Sequence, residues 1–420
     1  MTIRVIHLTA STRKRNVPGF GPVQERLDPQ VIVIREYEEH GDKAAVEAFE
    51  SRCDFRKARK PSLITNLMGD PLCRVRHFPI HVMLVAEHVE KKEIVGGIRG
   101  CIKSVSKGEH DQHRVYIKLA YVLGLRVSPP YRQLGIGTKL VQCLEEWCKK
   151  NGADYAYMAT DSFNEASLNL FTLKCDYVKF RSLTILVQPV HAHNKPLISG
   201  VVIKQVDPQL AGSIYCKTLG DSEFFPEDID VILHNKLSLG TFMAIPKSYL
   251  DHWDPNMTIL PPSFAILSIW NTKEVFRFQV KGVSPLTYAE CAGSRVLDTL
   301  MPCLRLPSVP NFFKQFGVYF LYGLHMRGYG ASRLMKSLCA HAHNMARNDV
   351  LCRAVVAEVG QMDPVREVMP HWRKFSWAED VWCIKKLGSA KHDINPGPHG
   401  WVKSTSSSSS SVIFVDPRDF

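Results

Sequence analysis

One short loop constrains this chain more than any other feature. Residues 131–138 read YRQLGIGT and join an apolar run at 119–127 to a helical pattern at 139–150. A strand that enters a glycine-containing turn and then a helix exposes backbone N–H groups at the helix start, where the helix dipole favours negative charge. Gly135 and Gly137 would let a diphosphate approach the backbone, and Arg132 can add a bidentate contact. The loop therefore predicts a phosphate cradle, and the alternative is an ordinary strand-to-helix turn.

The loop differs from two common phosphate-binding motifs. It lacks the terminal Gly-Lys-Ser/Thr of the P-loop and the first glycine of the dinucleotide fingerprint. Its Arg-x-x-Gly-x-Gly spacing resembles the coenzyme A loop of the GNAT superfamily of N-acetyltransferases. The resemblance implies that acetyl-CoA binds as the acyl donor.

The resemblance also implies roles for the residues around the loop. The diphosphate is expected on the backbone N–H groups of one continuous stretch: Arg132, Gln133, Leu134, Gly135, Ile136, Gly137 and Thr138. The pantetheine arm is expected to pair, as an added strand, with Leu125, Arg126 and Val127. Asn164 begins a segment similar to the family's Asn-x-x-Ala/Ser-x-x-Leu-Tyr, so its amide is expected to hydrogen-bond the cofactor arm. The alternative role for Asn164 is a helix N-cap.

The catalytic groups are less regular than the loop. Phe171 stands where many relatives carry the tyrosine that protonates the leaving thiolate, and Tyr121 stands where many carry a glutamate base. Glu87, inside the otherwise apolar run 82–89, is the best remaining carboxylate, because a buried acid tends to have a raised pKa. The alternative is that Glu87 is an edge-strand charge facing water. Tyr121 or Tyr177 could supply the acid, or catalysis could proceed mainly by positioning.

The order of predicted elements gives the fold class. Strands and helices alternate as β, α, β, β, β, α, β, α, β within residues 31–190, which indicates an α/β fold with a mixed sheet. This succession agrees with the GNAT fold, which would place the cofactor between parallel strands at 119–127 and 153–160. We also predict that residues 177–189 close this unit with a strand.

A similar succession follows after residue 200. A strand at 316–325 enters Arg327-Gly328-Tyr329-Gly330-Ala331-Ser332, and a helix follows at 333–347. Strands at 263–270 and 275–281 are expected to pair, and 377–386 is expected to be the closing strand. Ser332 stands where Gly137 does, and its Cβ would hinder close approach. We predict two tandem GNAT-like acyl-CoA N-acyltransferase domains, of which the second is degenerate.

These observations predict the domain organisation of the whole chain. Residues 1–30 are expected to be a flexible extension, 31–190 the acetyltransferase domain, 191–199 a linker and 200–388 the degenerate domain. Residues 389–420 contain a serine-rich tract and are predicted to be a disordered tail.

Composition limits the partners and the compartment. The 420 residues include 53 Lys and Arg against 41 Asp and Glu, a net charge of +12. Such a surface attracts phosphate-rich partners, although the excess can equally be spread over solvated faces. Twelve cysteines form no Cys-x-x-Cys pair, which favours reduced thiols and no metal site. No segment is apolar for long enough to span a membrane, so we expect a soluble protein.

Four further segments resemble one plant group, the Hookless-type N-acetyltransferases. They are KLAYVLGLRVSP at 118–129, NKLSLG at 235–240, KSLCAHAHN at 336–344 and VWCIKKL at 381–387. The resemblance implies acetyl-CoA-dependent transfer to an amine of a nuclear protein such as a histone, with the cytoplasm as the alternative setting. The departures at Phe171 and Tyr121 leave open a non-catalytic acetyl-CoA-binding regulator or scaffold. Direct nucleic-acid binding lacks a recognised module.

Overall fold

The structure is a computed structural model. It describes residues 4–7, 31–55, 62–108, 115–249, 260–301, 303, 308–373, 375–376, 379–388 and 412–420. Most of the predicted extension and the serine-rich tract lie outside these residues. Within residues 1–30, positions 4–7 form a strand that pairs with the strand at 31–36.

The first half of the chain contains eight described strands and three helices. The strands are β1 (Arg4–His7), β2 (Val31–Glu36), β3 (Ser62–Asn66), β4 (Ile80–His88), β5 (Glu93–Ser106), β6 (Tyr116–Val127), β7 (Tyr155–Asp161) and β8 (Val178–Pro189). The helices are α1 (Glu39–Phe55), α2 (Ile136–Lys150) and α3 (Glu165–Asn169), and α3 continues as a wider turn over Leu170–Lys174.

The second half follows a similar order. Its strands are β9 (Val201–Val206), β10 (Ser238–Pro246), β11 (Phe264–Asn271), β12 (Arg277–Lys281), β13 (Gly317–Arg327), β14 (Cys352–Gly360) and β15 (Asp380–Lys386). Its helices are α4 (Pro208–Thr218), α5 (Ile229–Leu233), α6 (Pro285–Leu300) and α7 (Ala331–Arg347). The sequence had not indicated β3, β10 or α6 as separate elements.

Thirteen of these strands form one continuous sheet across both halves. The strand order is β1-β2-β4-β5-β6-β7-β15-β8-β14-β13-β11-β10-β9. The pairs β6·β7 and β13·β14 are parallel, one in each half, and the other neighbours are antiparallel. The mixed sheet with a parallel pair in each half confirms the predicted fold class.

The two halves exchange a strand. β15, from the end of the second half, pairs with β7 on one side and with β8 on the other, and β8 also pairs with β14. The prediction that residues 177–189 close the first unit by themselves is therefore wrong, because the second half supplies the strand between β7 and β8. The side chains of β15 suit a position inside the sheet, because both faces of the strand are buried. Trp382 and Ile384 pack in the shared core, whereas Cys383 packs in the core beneath α2.

The predicted pairing of the strands near 263–270 and 275–281 is also wrong. β11 lies in the large sheet between β10 and β13, whereas β12 pairs with β3 of the first half in a separate two-stranded sheet. The short 3-10 turn Thr272–Glu274 between them redirects the chain, so that β12 leaves the plane of the large sheet.

Helices cover the outer faces of the sheet. α2 is amphipathic, and its buried residues Ile136, Leu140, Leu144 and Cys148 recur every four residues against the first half of the sheet. α7 covers the second half in the same way. The opposite sheet faces of the two halves share one large core, so the halves cannot be regarded as independently packed domains.

The segment Val412–Phe420 lies inside this shared core. Ile413, Phe414 and Val415 are buried, and the Phe414 ring contacts that of Phe225 edge-on with centroids 5.3 Å apart. The backbone of this segment also exchanges hydrogen bonds with Glu223. The predicted disordered tail is therefore corrected for residues 412–420, because a run of apolar side chains after the serine tract can fill a core. Residues 389–411 lie outside the described part of the chain.

None of the helices in the described residues is both long and apolar enough to cross a membrane.

Candidate active site

The strands β6 and β7 separate part of the way along their length. Their parallel pairing ends at Tyr121 and Tyr157. Beyond these residues, β6 pairs with β5 only, and β7 pairs with β15 only, among the described strands. The slot between them is open to solvent, since Gly124 and Asp161 are exposed. A slot of this kind exposes backbone groups of β6 that an extended ligand can pair with.

β6 bulges where it lines the slot. Its register against β5 shifts between the pairs Arg126–Gly97 and Leu123–Arg99, so that β6 carries one extra residue. Gly124 lies in the bulge at φ +65°, and a Cβ added there would lie 2.8 Å from Nη1 of Arg99. The bulge turns the backbone around Leu125 toward the slot, and glycine is required because of both the backbone conformation and the buried arginine.

The glycine loop follows directly and presents an uncapped helix end. Gly135 is the N-cap of α2 at φ +81°, and no side chain caps this helix or places an acid in its first turn. A Cβ added at Gly135 would meet no atom within 4 Å. Gln133 also has a positive φ of 65°. The loop therefore leaves the first N–H groups of α2 open on the side where Gly135 lacks a side chain.

Gly137 packs closely against neighbouring side chains. It lies in the first turn of α2, and an added Cβ would lie 3.3 Å from Cδ1 of Leu170 and 3.7 Å from Cγ2 of Val127. Its small size therefore permits close packing of the helix, and its predicted place in the phosphate cradle stays a prediction.

Arg132 and Asn164 flank the slot. Nε of Arg132 donates to the carbonyl oxygen of Val127 at 3.1 Å, which holds the arginine side chain across the loop. The Asn164 side chain accepts from the backbone N–H of Ser167 and donates to Oγ1 of Thr160. Asn164 is therefore an N-cap in this structure, and it is exposed beside the slot.

Tyr121 and Tyr157 form the floor of the slot, on the side of the shared core. Their rings are stacked with centroids 4.7 Å apart, and both are buried. Burial raises the pKa of both hydroxyls. A tyrosine with a raised pKa is a poor base and a poor acid near neutral pH.

Glu87 lies far from this floor. It pairs with Ile94 of β5, whereas Tyr121 pairs with Cys101 of the same strand. Seven residues along a strand correspond to about 23 Å. Glu87 also accepts from Nε of Arg35 at 2.8 Å, in an ion-pair group with Asp42. This geometry does not fit the predicted role of Glu87 as the base, and the structure does not bring the two predicted catalytic residues together.

Phe171 and Tyr177 lie in the core beneath α2. Phe171 is buried and contacts Tyr177 edge-on, with ring centroids 5.0 Å apart. Burial also raises the pKa of Tyr177. Both rings pack on the opposite face of the sheet from Tyr121. Tyr177 and Tyr121 therefore do not lie in the same site.

Two carboxylates that sequence reasoning had missed lie on the same side as Tyr121. Oδ2 of Asp419 accepts a hydrogen bond of 2.7 Å from the hydroxyl of Tyr157. Glu358, on β14, accepts from Nε1 of Trp382 at 3.1 Å. Burial, reinforced by Asp380, raises the pKa of Glu358 to about 8. Asp419 could not be recognised from the sequence, because the preceding serine tract predicted disorder.

The second half repeats the geometry of the slot and the loop. β13 bulges between Tyr322 and His325 with Gly323 at φ +61°, and Gly328 and Gly330 have positive φ values of 88° and 73°. The similar segments LGLR at 123–126 and YGLH at 322–325 show this repeat in the sequence. They could have been used to predict both bulges.

The second slot is filled by the chain itself. Gly323 and Glu358 line a cavity of only about 20 Å³ that the residues of 412–415 close. Ser332 is exposed in the first turn of α7, and its predicted effect on close approach of a ligand stays a prediction. The inserted segment accounts for the degeneracy of the second domain better than the serine does.

Comparison with known proteins agrees with this geometry. Residues 48–177 match the model of the acetyltransferase (GNAT) family. The Arabidopsis thaliana protein "Probable N-acetyltransferase HLS1" is 47% identical over 93% of this chain and 100% of its own length. The Oryza sativa "Acetyl transferase GW6a" is 43% identical over 86% of this chain and 83% of its own length. A solved fungal GCN5-related glucosamine N-acetyltransferase region, in a multi-domain β-N-acetylglucosaminidase, has a TM-score of 0.53 at 16% identity, over 85% of this chain and 38% of that one.

The chain belongs to the GNAT family of acetyltransferases. In this chain, an open slot between two parallel strands lies beside the uncapped start of α2. Within the family, the chain is one of the Hookless-type N-acetyltransferases of plants, as its sequence resemblance predicted.

Proposed function

We propose that the first half binds acetyl-CoA and that the acetyl group is transferred to an amine of a protein substrate in the nucleus. The diphosphate lies against the N–H groups of residues 132–138, and the pantetheine arm follows Leu125, Arg126 and Val127 into the slot. The observation that carries this proposal is the uncapped start of α2 at Gly135, beside a slot with an unpaired strand edge. The exposed amide of Asn164 then hydrogen-bonds the arm in place of its contact with Thr160.

A cleft next to the slot supports a cationic acceptor. It has a volume of about 570 Å³ and lies between α1 and the small sheet of β3 and β12. Its lining includes the carboxylates of Glu47, Glu50 and Asp70. Glu50 pairs with Arg99, the residue that packs against the bulge at Gly124. The Arg99 side chain therefore connects the lining of this cleft with the bulge of β6.

Direct attack of the amine on the thioester agrees with the state of the nearby thiol. Cys101 pairs with Tyr121 across β5 and β6 and is buried. Burial raises the pKa of this thiol well above its usual value. Because the thiolate is the nucleophilic form, Cys101 is unsuited to carry an acetyl intermediate. This supports direct transfer with both substrates bound together in a ternary complex.

The test is release of free thiol from acetyl-CoA. Full-length protein should release coenzyme A when histone tails, other lysine-rich peptides or polyamines are added, and mass spectrometry should find an acetyl group on the amine. Binding of acetyl-CoA is measured separately by calorimetry. Absence of binding would refute the cofactor assignment.

A second candidate function is a non-catalytic acetyl-CoA sensor. The burial of Phe171 and Tyr121 favours it, since neither residue can exchange a proton readily. Binding of acetyl-CoA without thiol release for any amine would select this function. The nuclear setting is tested by the distribution of a fluorescent fusion in plant cells.

A further inference from the structure

The shared core holds a buried charged group beneath the cofactor slot. Lys103 of β5 pairs with Asp419 and lies 3.7 Å from Asp416. Arg418 pairs with Asp416 and Asp228. Buried charges are costly to desolvate and are tolerated only when they are paired. The segment Val412–Phe420 thus brings two carboxylates and a guanidinium to the first half of the sheet.

Asp419 is the member of this group that reaches the floor of the slot. Its Oδ2 accepts from the Tyr157 hydroxyl at 2.7 Å and from Lys103, and its backbone oxygen accepts from Arg74 at 2.9 Å. Tyr157 stacks on Tyr121 at the point where β6 and β7 separate. Two hydrogen bonds to Oδ2 and one to the backbone oxygen thereby hold Asp419 beneath the stacked tyrosines.

The second carboxylate oxygen of Asp419, Oδ1, accepts no hydrogen bond from the described residues. Asp419 is only 7% exposed, yet its Oδ1 has no hydrogen-bond partner among the described residues. A buried carboxylate oxygen without a donor is unfavourable, and such atoms are rare in folded proteins. An incoming N–H donor would remove this cost.

The geometry points to Asp419 as the proton acceptor for the amine substrate, with Tyr157 and Lys103 as the residues that position it. This inference rests on the proposed function. The lone pair of the amine nitrogen forms a bond to the thioester carbon, and one proton passes from that nitrogen to Oδ1 of Asp419. The carbon–sulfur bond then breaks, and its electron pair leaves with the sulfur. The proton passes from Asp419 to the thiolate, which gives an amide, free coenzyme A thiol and the original carboxylate.

The surrounding charges act on Asp419 in opposite directions. Burial and the neighbouring Asp416 raise its pKa, whereas the ammonium of Lys103 and the Tyr157 hydroxyl lower it. Tyr121, Cys101 and Glu358 also lie within electrostatic reach. A base works best when its pKa lies near the working pH, and the raised pKa of Asp419 moves it in that direction.

The experiment compares full-length variants in the thiol-release assay. Asp419→Asn keeps the shape of the side chain and should lower kcat by about 100-fold or more, because general base catalysis contributes about 10²–10⁴. The dissociation constant of acetyl-CoA should stay within about threefold. Asp419→Glu should recover part of kcat, and formate should partly restore Asp419→Ala. A merely structural role would not produce rescue by formate.

Asp228→Asn is the matched control. It removes a carboxylate that holds the same segment through Arg418, but it leaves Tyr157 and Asp419 unchanged. Its kcat should stay within about threefold of the native value.

The outcomes separate this inference from the proposed function. Native protein that acetylates amines, together with an Asp419→Asn variant of equal kcat, would overturn the role of Asp419 alone. Equal losses in the Asp419 and Asp228 variants, without formate rescue, would also overturn it. Native protein that releases no thiol with any amine would overturn the proposed function and this inference with it. If Asp419→Asn does not fold, an Asp419→Ala variant that keeps the native kcat without formate would be the refuting result.

Discussion

Replacing Gly135 with glutamate tests the cofactor loop against a control that the fold itself provides. Gly135 and Gly330 are the N-caps of α2 and α7, with φ of +81° and +73°. A Cβ added to either glycine would meet no atom within 4 Å. Each substitution should therefore cost a similar backbone strain of about 1–2 kcal/mol in the free energy of unfolding.

The two variants should differ in cofactor binding. A carboxylate about 5 Å from the diphosphate, at an effective dielectric constant of about 20, costs about 3 kcal/mol. Since about 1.4 kcal/mol corresponds to a tenfold change in affinity, Gly135→Glu should weaken acetyl-CoA binding by roughly 100-fold. Gly330→Glu should leave binding unchanged, because the chain itself fills the second slot.

Two measurements are needed. Chemical denaturation should give a similar loss of stability for both variants, and calorimetric titration with acetyl-CoA should give a loss of affinity for Gly135→Glu alone. Native affinity in Gly135→Glu, or an equal loss of affinity in Gly330→Glu, would refute the assignment of the loop.

Three further predictions concern the shared core. Because burial raises the pKa of Glu358 from 4.5 to about 8, the folded protein holds a proton that the unfolded chain releases, and this contribution to stability is lost as pH rises from 4.5 toward 8. Denaturation at several pH values should show that the free energy of unfolding depends less on pH in Glu358→Gln than in the native protein. An unchanged pH dependence would contradict the burial of this acid. Phe414→Ala should lower the free energy of unfolding by about 3–5 kcal/mol, whereas Leu173→Ala, at a 70% exposed side chain, should change it by less than about 0.5 kcal/mol; equal effects would show that residues 412–420 do not pack in solution. Residues 31–199 produced alone lack β15 and should not show cooperative unfolding, while coexpression with residues 200–420 should restore it. A stable isolated first half would contradict the strand exchange.

Local patterns were sufficient to predict most elements of the first half. The helix that ends at Lys150 and the strands near β4 to β7 follow from apolar periodicity and glycine positions. The parallel pair β6·β7 follows from the strand–loop–helix–strand order between residues 116 and 161. These features depend on residues that are close in the sequence, so the sequence alone could indicate them.

Features that depend on distant contacts could not be predicted in this way. The side chains of β15 alternate between two faces, as they would in any sheet. Nothing in the sequence of β15 itself selects the position between β7 and β8. Glu87 lies in an apolar run, yet its partner Arg35 is on a neighbouring strand. An aspartate is usually exposed, so the sequence around Asp419 does not indicate burial. The packing of Phe414 and Val415 in the core brings Asp419 beneath Tyr157.

The crossing of β15 into the first half also affects the order in which a newly made chain can mature. A ribosome completes β7 and β8 long before it reaches Asp380. At about 5–20 residues per second, the edges of both strands wait on the order of ten seconds or more for their common neighbour. During most of that interval, β7 lacks one of its two neighbouring strands and β8 lacks both, because β14 begins only at Cys352. Translation is therefore the stage at which this chain is most exposed to aggregation, and a chaperone that covers these strand edges would protect it.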